Sequence, residues 1–323
     1  MKKVSLLIAV LFLLNASRGY ASYVVIDAHT SRALFASSPH VQQPIASLTK
    51  MWTALVVIEN SKLDEKVIVS KKASLSEGSS LYLKEGDEKT VEQLLYGLML
   101  RSGNDAAMAL AEHVGGSENG FVYLMNERAQ VAGLNNTNFT NPSGLHNELH
   151  LSTAYDTAKM LQIAMTNPTF AKIASTTEYK AQYLWENKHK LLTRDVGAIS
   201  GKTGYTKVAG RTLATYFERN EKQMIVVTLN EPDDWNFHIH LANQVDEKYE
   251  RQRILKKGTY KSNNRSIRIN EPIYLLLTEE EVKQVSHTLI VPRNLISGTG
   301  AWQVQLGKVP IHTFLVETKA LKK

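Results

Sequence analysis

From Leu48 to Glu59 the chain runs Leu-Thr-Lys-Met-Trp-Thr-Ala-Leu-Val-Val-Ile-Glu, strongly apolar and without a glycine or proline to break it. Such a stretch reads as a buried helix. Pro44 lies just before it, and Ser47 occupies the place of an N-cap or first-turn residue. Met51 and Trp52 on this helix read as core. Further helical patterns cover 91–100, 104–114, about 153–175 and 237–256, while the Asn-, Thr-, Pro- and Gly-rich stretch 133–150 reads as a long loop.

Elsewhere the period is that of strands. Tyr23–Ile26 and Ala33–Phe35 flank a polar turn and read as a hairpin. Ile199–Thr206, Arg211–Phe217 and Gln223–Leu229 suggest an antiparallel meander. After a polar, turn-rich stretch at 256–266 come strand patterns at 266–269, 272–277, 288–291 and 304–316. The expectation is an α+β fold. Its domains are 22–257, an antiparallel sheet flanked by helices with a helical subdomain, and 258–323, a small all-β unit. The chain has 323 residues, 43% apolar and 21% charged, enough for one large and one small core.

Lys2 and Lys3, the apolar run Val4–Leu14 and the small residues Gly19 and Ala21 read as a secretory signal over 1–21, so export is expected. With no cysteine, disulfides and thiolate chemistry are excluded. The formal charge is +7; residues 1–21 carry three basic residues and no acid, which leaves the remainder at +4. That suits an anionic surface such as a cell wall, with peripheral wall or membrane association, and not nucleic acid, since no basic cluster interleaves with aromatics. The end of the chain shows no long amphipathic helix of the membrane-anchoring kind. The tightest histidine pairs, His238/His240 and His146/His150, lack metal-ligand spacing, so no metal or cofactor is expected. Glu279–Glu281 reads as a solvated acidic turn.

Three short motifs carry the chemistry: Ser47-Leu48-Thr49-Lys50, Ser102-Gly103-Asn104 and Lys202-Thr203-Gly204. Each alone is weak, and Ser-x-Asn recurs at Ser117/Asn119 and Ser262/Asn264. Their context is stronger: a helix start, a break between helices, and a strand. A serine hydroxyl needs a base to become a nucleophile. Positions i and i+3 share a helix face, so Lys50 reaches Ser47. To act as base the lysine must be neutral, and burial together with a second cation, Lys202, favours that. A helix N-terminus also places N–H groups near Ser47. Lys202 and Thr203 suit a carboxylate, and Gly204 permits close approach of a peptide backbone.

The set matches the signature of class A β-lactamases and penicillin-binding proteins. With Ile45–Met51, Leu100–Ala107, Asn141-Pro142-Ser143-Gly144-Leu145 and Gly201–Thr206 it resembles the low-molecular-mass penicillin-binding proteins, the serine-type D-alanyl-D-alanine carboxypeptidases, over nearly all of 22–255. It looks closest to those that endospore-forming bacteria use on spore peptidoglycan. The resemblance implies a β-lactamase/transpeptidase-like domain, peptidoglycan stem peptides as substrate and β-lactams as covalent inhibitors. It implies Ser47 as nucleophile and Lys50 as base. Ser102 and Asn104 would line the cleft, with Lys202 and Thr203 on the terminal carboxylate and the N–H groups of Ser47 and Tyr205 as oxyanion hole. Many members carry an arginine where this chain has Asp233-Asp234-Trp235. Arg211 is the substitute candidate, its alternative a solvated strand arginine. A β-lactamase, an endopeptidase acting on cross-links and a non-catalytic wall-binding protein remain alternatives. The absence of a Glu-x-x-x-Asn pattern at 133–150 weighs against the first.

Overall fold

The computed structural model describes residues 21–181, 183–262, 264–292 and 297–320. The expected signal lies almost wholly outside these. The central sheet contains β1 (Ser22–Asp27), β2 (Ala33–Ser37), β3 (Ala198–Thr206), β4 (Gly210–Arg219) and β5 (Lys222–Leu229), all antiparallel, in the order β2-β1-β5-β4-β3. The meander read from sequence is therefore closed by the N-terminal hairpin, with Ser22 opposite Leu229 and Asp27 opposite Met224. β3 is left as an edge.

Both faces of the sheet are covered, which explains the unbroken apolar runs Tyr23–Ile26 within β1 and Met224–Val227 within β5. On one face Val24, Ile26, Ile225, Val227 and Leu229 join the main core. That core includes α1 (Thr49–Asn60), α2 (Val91–Tyr96), α3 (Asn104–Gly115), α4 (Glu118–Val131), α5 (Ala154–Met165) and α6 (Pro168–Ala174). On the other face Val25, Met224 and Val226 meet Leu241, Ala242 and Val245 of α7 (Asp234–Lys248). The alternation is the two-residue period of a strand. The helix read at 48–59 is α1, and Met51 and Trp52 are fully buried in it. Burying their side chains contributes about 1.5–3 kcal/mol each.

Several boundaries differ from the sequence reading. The helical stretch at 153–175 is two helices, because Asn167 caps a new one with Pro168 in its first turn. The expected helix at 237–256 ends at Lys248. Residues Glu250–Leu255 form β6 instead, paired with Ile273–Leu277. Arg251 lies 3.6 Å from the Tyr274 ring centre, so a non-local partner overrides local helix propensity. Glu279–Glu281 belong to a short helix, Glu279–Val282, with a capping box from Thr278, and Glu281 pairs with Arg32. The apolar stretch at 304–316 is two strands of a hairpin, Ser297–Leu306 and Val309–Ala320, turning at Gly307 (φ +59°). These strands join Gly258–Ser262, Arg265–Ile269 and Val285–Ile290 in a five-stranded sheet over Ile267, Trp302, Val304 and Val316. Among the described residues no helix is long and apolar enough to cross a membrane.

Candidate active site

Ser47 sits in a 3-10 turn, Ala46–Leu48, that leads directly into α1. Ala46, just before it, is held at φ +49°. A non-glycine residue there is uncommon and marks local strain. One turn on, the Lys50 Nζ lies 3.1 Å from the Ser47 Oγ and donates to the Ser143 carbonyl at 2.5 Å. Lys50 is wholly buried. Burial, then the neighbouring cations Lys202 and Lys188, hold its amine well below the usual lysine range, against a smaller opposing pull from Asp105. The spacing argument from sequence and the observed contact agree.

Ser102 lies where α2 unwinds through a π turn, Gly97–Arg101, and is left-handed at φ +64°. π turns concentrate at functional sites. The conformation aims the Ser102 Oγ at the Lys202 Nζ, 3.1 Å away. Lys202 enters from β3, is only 2% exposed, and also donates to the Thr203 carbonyl at 2.9 Å. Burial and then Lys188 lower its pKa to about 7.

Gly204 is required by packing. A Cβ there would lie 2.3 Å from the Thr212 Oγ1 and 3.0 Å from the Ser47 backbone nitrogen. The edge strand thus passes against the turn that carries Ser47. Asn104 is nearly buried, and its side-chain amide donates to the Glu77 carbonyl. Arg211 is neither free nor merely solvated: its guanidinium pairs with Asp234 at 2.6 Å and lies 5.7 Å from the Trp235 ring centre.

Ser47, Ser79, Ser102, Lys188, Lys190, Thr203, Gly204, Tyr205, Arg211, Asp234 and Trp235 surround a cleft of about 340 Å³. Lys50 and Lys202 lie beneath its floor. All nine residues expected from sequence therefore converge on one place, by lining the cleft or by contacting its lining, except that the Asn104 amide is engaged with Glu77. A second cavity, of about 420 Å³ and lined by Ile269, Ile273, Phe314 and Val316 among others, lies in the β-rich region, away from this chemistry.

Four contributors were not singled out from sequence. Asp105 organises the 80–83 turn, its carboxylate accepting from the Leu81 and Leu83 N–H groups and the Ser80 hydroxyl. Asn141 folds the next loop, its Oδ1 accepting from the N–H groups of Ser143, Gly144 and Leu145. Ser143 presents its carbonyl to Lys50. Lys188 donates to the Ser79 hydroxyl at 3.3 Å and adds positive charge. For Asp105, Asn141 and Ser143 the only signal was their place in the longer motif stretches. Lys188 lies in none of them.

Chemically, the cleft offers a hydroxyl beside a buried amine whose charge is disfavoured, a second hydroxyl beside a second buried amine, and a strand edge. A family model described as D-alanyl-D-alanine carboxypeptidase matches residues 16–233, more than half of the chain. The chain belongs to the D-alanyl-D-alanine carboxypeptidase family. It is 36% identical over 220 residues to the D-alanyl-D-alanine carboxypeptidase DacF of Bacillus subtilis, covering 64% of this chain and 56% of that protein. The match thus spans just over half the length of that relative. DacB2 of Mycobacterium tuberculosis is 35% identical over 217 residues, 64% of this chain and 74% of the relative.

Among solved structures, a Mycobacterium tuberculosis D-alanyl-D-alanine carboxypeptidase superposes with a TM-score of 0.65 at 31% identity, over 69% of this chain and 89% of that one. Penicillin-binding protein 5 of Haemophilus influenzae gives 0.80 at 24% identity, over 93% and 96%, a likeness of fold that extends through the β-rich region. The carboxypeptidase family is thus shown by sequence, and its mixed α+β architecture by both structures.

Proposed function

We propose that this protein is an exported serine carboxypeptidase that removes the terminal D-alanine from peptidoglycan stem peptides, and that β-lactams acylate it. The observation that carries the reading is the buried, charge-disfavoured Lys50 amine 3.1 Å from the Ser47 hydroxyl. Neutral Lys50 takes the hydroxyl proton as the Ser47 Oγ attacks the scissile carbonyl. The oxyanion faces the N–H groups of Ser47 and Tyr205. The amide bond breaks, the departing D-alanine nitrogen receives a proton through Lys50 and Ser102, and an ester remains on Ser47. Water then hydrolyses that ester. Lys202 and Thr203 hold the terminal carboxylate with Arg211, and Asn104 the peptide backbone. The names of the relatives support this substrate class, and a peptidoglycan substrate, which lies outside the cytoplasm, is in keeping with export. The division into a catalytic unit, 22–257, and a β-rich unit, 258–323, belongs to the same proposal.

Deacylation is expected to be slow toward penicillin. The carboxylate whose charge bears on Lys50 is that of Asp105, and its oxygens are already engaged by Ser80, Leu81 and Leu83. Mass spectrometry of the intact protein after penicillin treatment tests the proposal. A long-lived adduct on Ser47, absent from Ser47→Ala, together with release of D-alanine from a diacyl-D-Ala-D-Ala peptide, supports it. Equal release by Ser47→Ala and wild type would refute the nucleophile. Rapid drug turnover would indicate a β-lactamase.

A further inference from the structure

His150, which the spacing of histidines in the sequence left without a role, is wedged between the nucleophile helix and the loop that presents a carbonyl to Lys50. It is 3% exposed. The Thr140 backbone N–H donates to its Nδ1 at 3.0 Å. That nitrogen therefore bears a lone pair, and the ring proton sits on Nε2. Nε2 in turn donates to the Thr49 Oγ1 at 2.8 Å. Both ring nitrogens are used, one on each element, and the Phe139 ring meets the imidazole edge-on at 5.7 Å.

The loop so held is the one that matters to Lys50. Asn141 folds residues 143–145 about its own side chain, and the Thr53 hydroxyl donates to the Pro142 carbonyl at 2.7 Å. Gly144 packs so closely against the Ser47 turn that a Cβ would lie 1.9 Å from the Ala46 carbonyl oxygen. The Ser143 carbonyl then receives the Lys50 Nζ. Three consecutive ties, at Thr49, Lys50 and Thr53, join one side of α1 to this loop.

We propose that His150 is a positioning residue: as a neutral strut from Thr49 to Thr140 it sets the Ser143 carbonyl, and through it aims the Lys50 amine at Ser47. Burial, and then the proximity of Lys50, depress the imidazole pKa to about 4, so the strut persists in its neutral form at the pH of catalysis. A protonated ring would set an N–H against the Thr140 N–H and release the loop. A neutral group here also gives Lys50 no counter-ion, in keeping with an amine whose charge is disfavoured.

The inference rests on the proposed acyl-enzyme, and the test separates the two. Stopped-flow acylation by a fluorescent penicillin is measured on wild type, His150→Phe, Thr49→Val and the double variant, with thermal melts to confirm folding. His150→Gln, whose amide can still donate toward Thr49, serves as the conservative rescue. Each end of the strut, when cut, is expected to slow acylation by about tenfold with little change in drug affinity, the double variant being no worse than either alone. The acid limb of the pH–rate profile is expected to move upward, because a loosened loop admits water to Lys50. His150→Gln is expected to recover most of the rate. Folded variants that acylate at the wild-type rate with an unmoved acid limb, or single-variant losses that simply add, would overturn the strut. Failure of wild type itself to acylate would instead overturn the function proposed above.

Discussion

The Lys202 Nζ and the Ser102 Oγ meet at 3.1 Å across a hundred residues of chain, one from the edge strand of the sheet and the other from a left-handed residue between two helices. The contact joins the two halves of the cleft. It also gives the second hydroxyl an amine partner, in keeping with the proton relay proposed for Ser102.

Ser102→Ala removes that relay and leaves the buried Lys202 without its hydroxyl partner. Turnover of a D-Ala-D-Ala peptide is expected to fall about 100- to 1,000-fold. Single-turnover measurements should show the loss in the chemical steps, with peptide affinity changed far less.

The two lysines predict a bell-shaped pH profile. Lys50 acts as base only when neutral, so kcat/KM rises as pH passes upward through its depressed pKa. Lys202 grips a carboxylate only when charged, and in the empty site it titrates at about 7, so kcat/KM falls above that point. The limbs belong to the coupled pair. Lys202→Arg, charged at every accessible pH, is expected to abolish the alkaline limb.

Burial of Lys202 also couples stability to pH. Below about 7 the folded and unfolded states both hold its proton, and the folded state bears the full cost of the buried charge. Between about 7 and 10.5 the unfolded chain binds more protons, so this residue's contribution to stability rises with pH. Denaturant midpoints measured from pH 6 to 10 should climb less steeply in Lys202→Met than in wild type.

Gly144 has φ +81° and no room for a side chain against Ala46 and Thr49. Gly144→Ala is expected to cost on the order of 2–4 kcal/mol, from left-handed strain plus overpacking. Urea unfolding reads the loss directly. Since the displaced loop carries Ser143, acylation should slow as well.

Arg211 pairs with Asp234 and lies beside Trp235 at the rim of the cleft. If it shares the substrate carboxylate, Arg211→Ala raises KM for the peptide about tenfold with kcat nearly unchanged. A replacement that leaves KM where it was would return Arg211 to a structural role with Asp234.

Wherever the physics is local, the residues spoke for themselves. The apolar run of α1 is buried as its composition suggested, and three residues of helix bring Lys50 beneath Ser47. Short β-rich runs set off by polar turns marked every strand of the main sheet. The errors fall where a distant partner outweighs local preference, or where a local cap or turn divides a continuous pattern. Glu250–Leu255 is a strand because Ile273–Leu277 pairs with it, and 304–316 is a hairpin because Gly307 turns left-handed.

What spacing alone suggested is which groups stand together in each motif: a hydroxyl one helical turn before an amine, a second hydroxyl, and a cation beside a glycine; the family resemblance supplied the roles proposed for them. Folding decided how those motifs meet. Closure of the sheet by the N-terminal hairpin leaves β3 as an edge and brings Gly204 against the Ser47 turn. Burial depresses the proton affinities of Lys50 and Lys202, and repulsion adds to it, from Lys202 and Lys188 on Lys50 and from Lys188 on Lys202. Desolvation and charge repulsion depend on distance through space, and separation along the chain does not encode it.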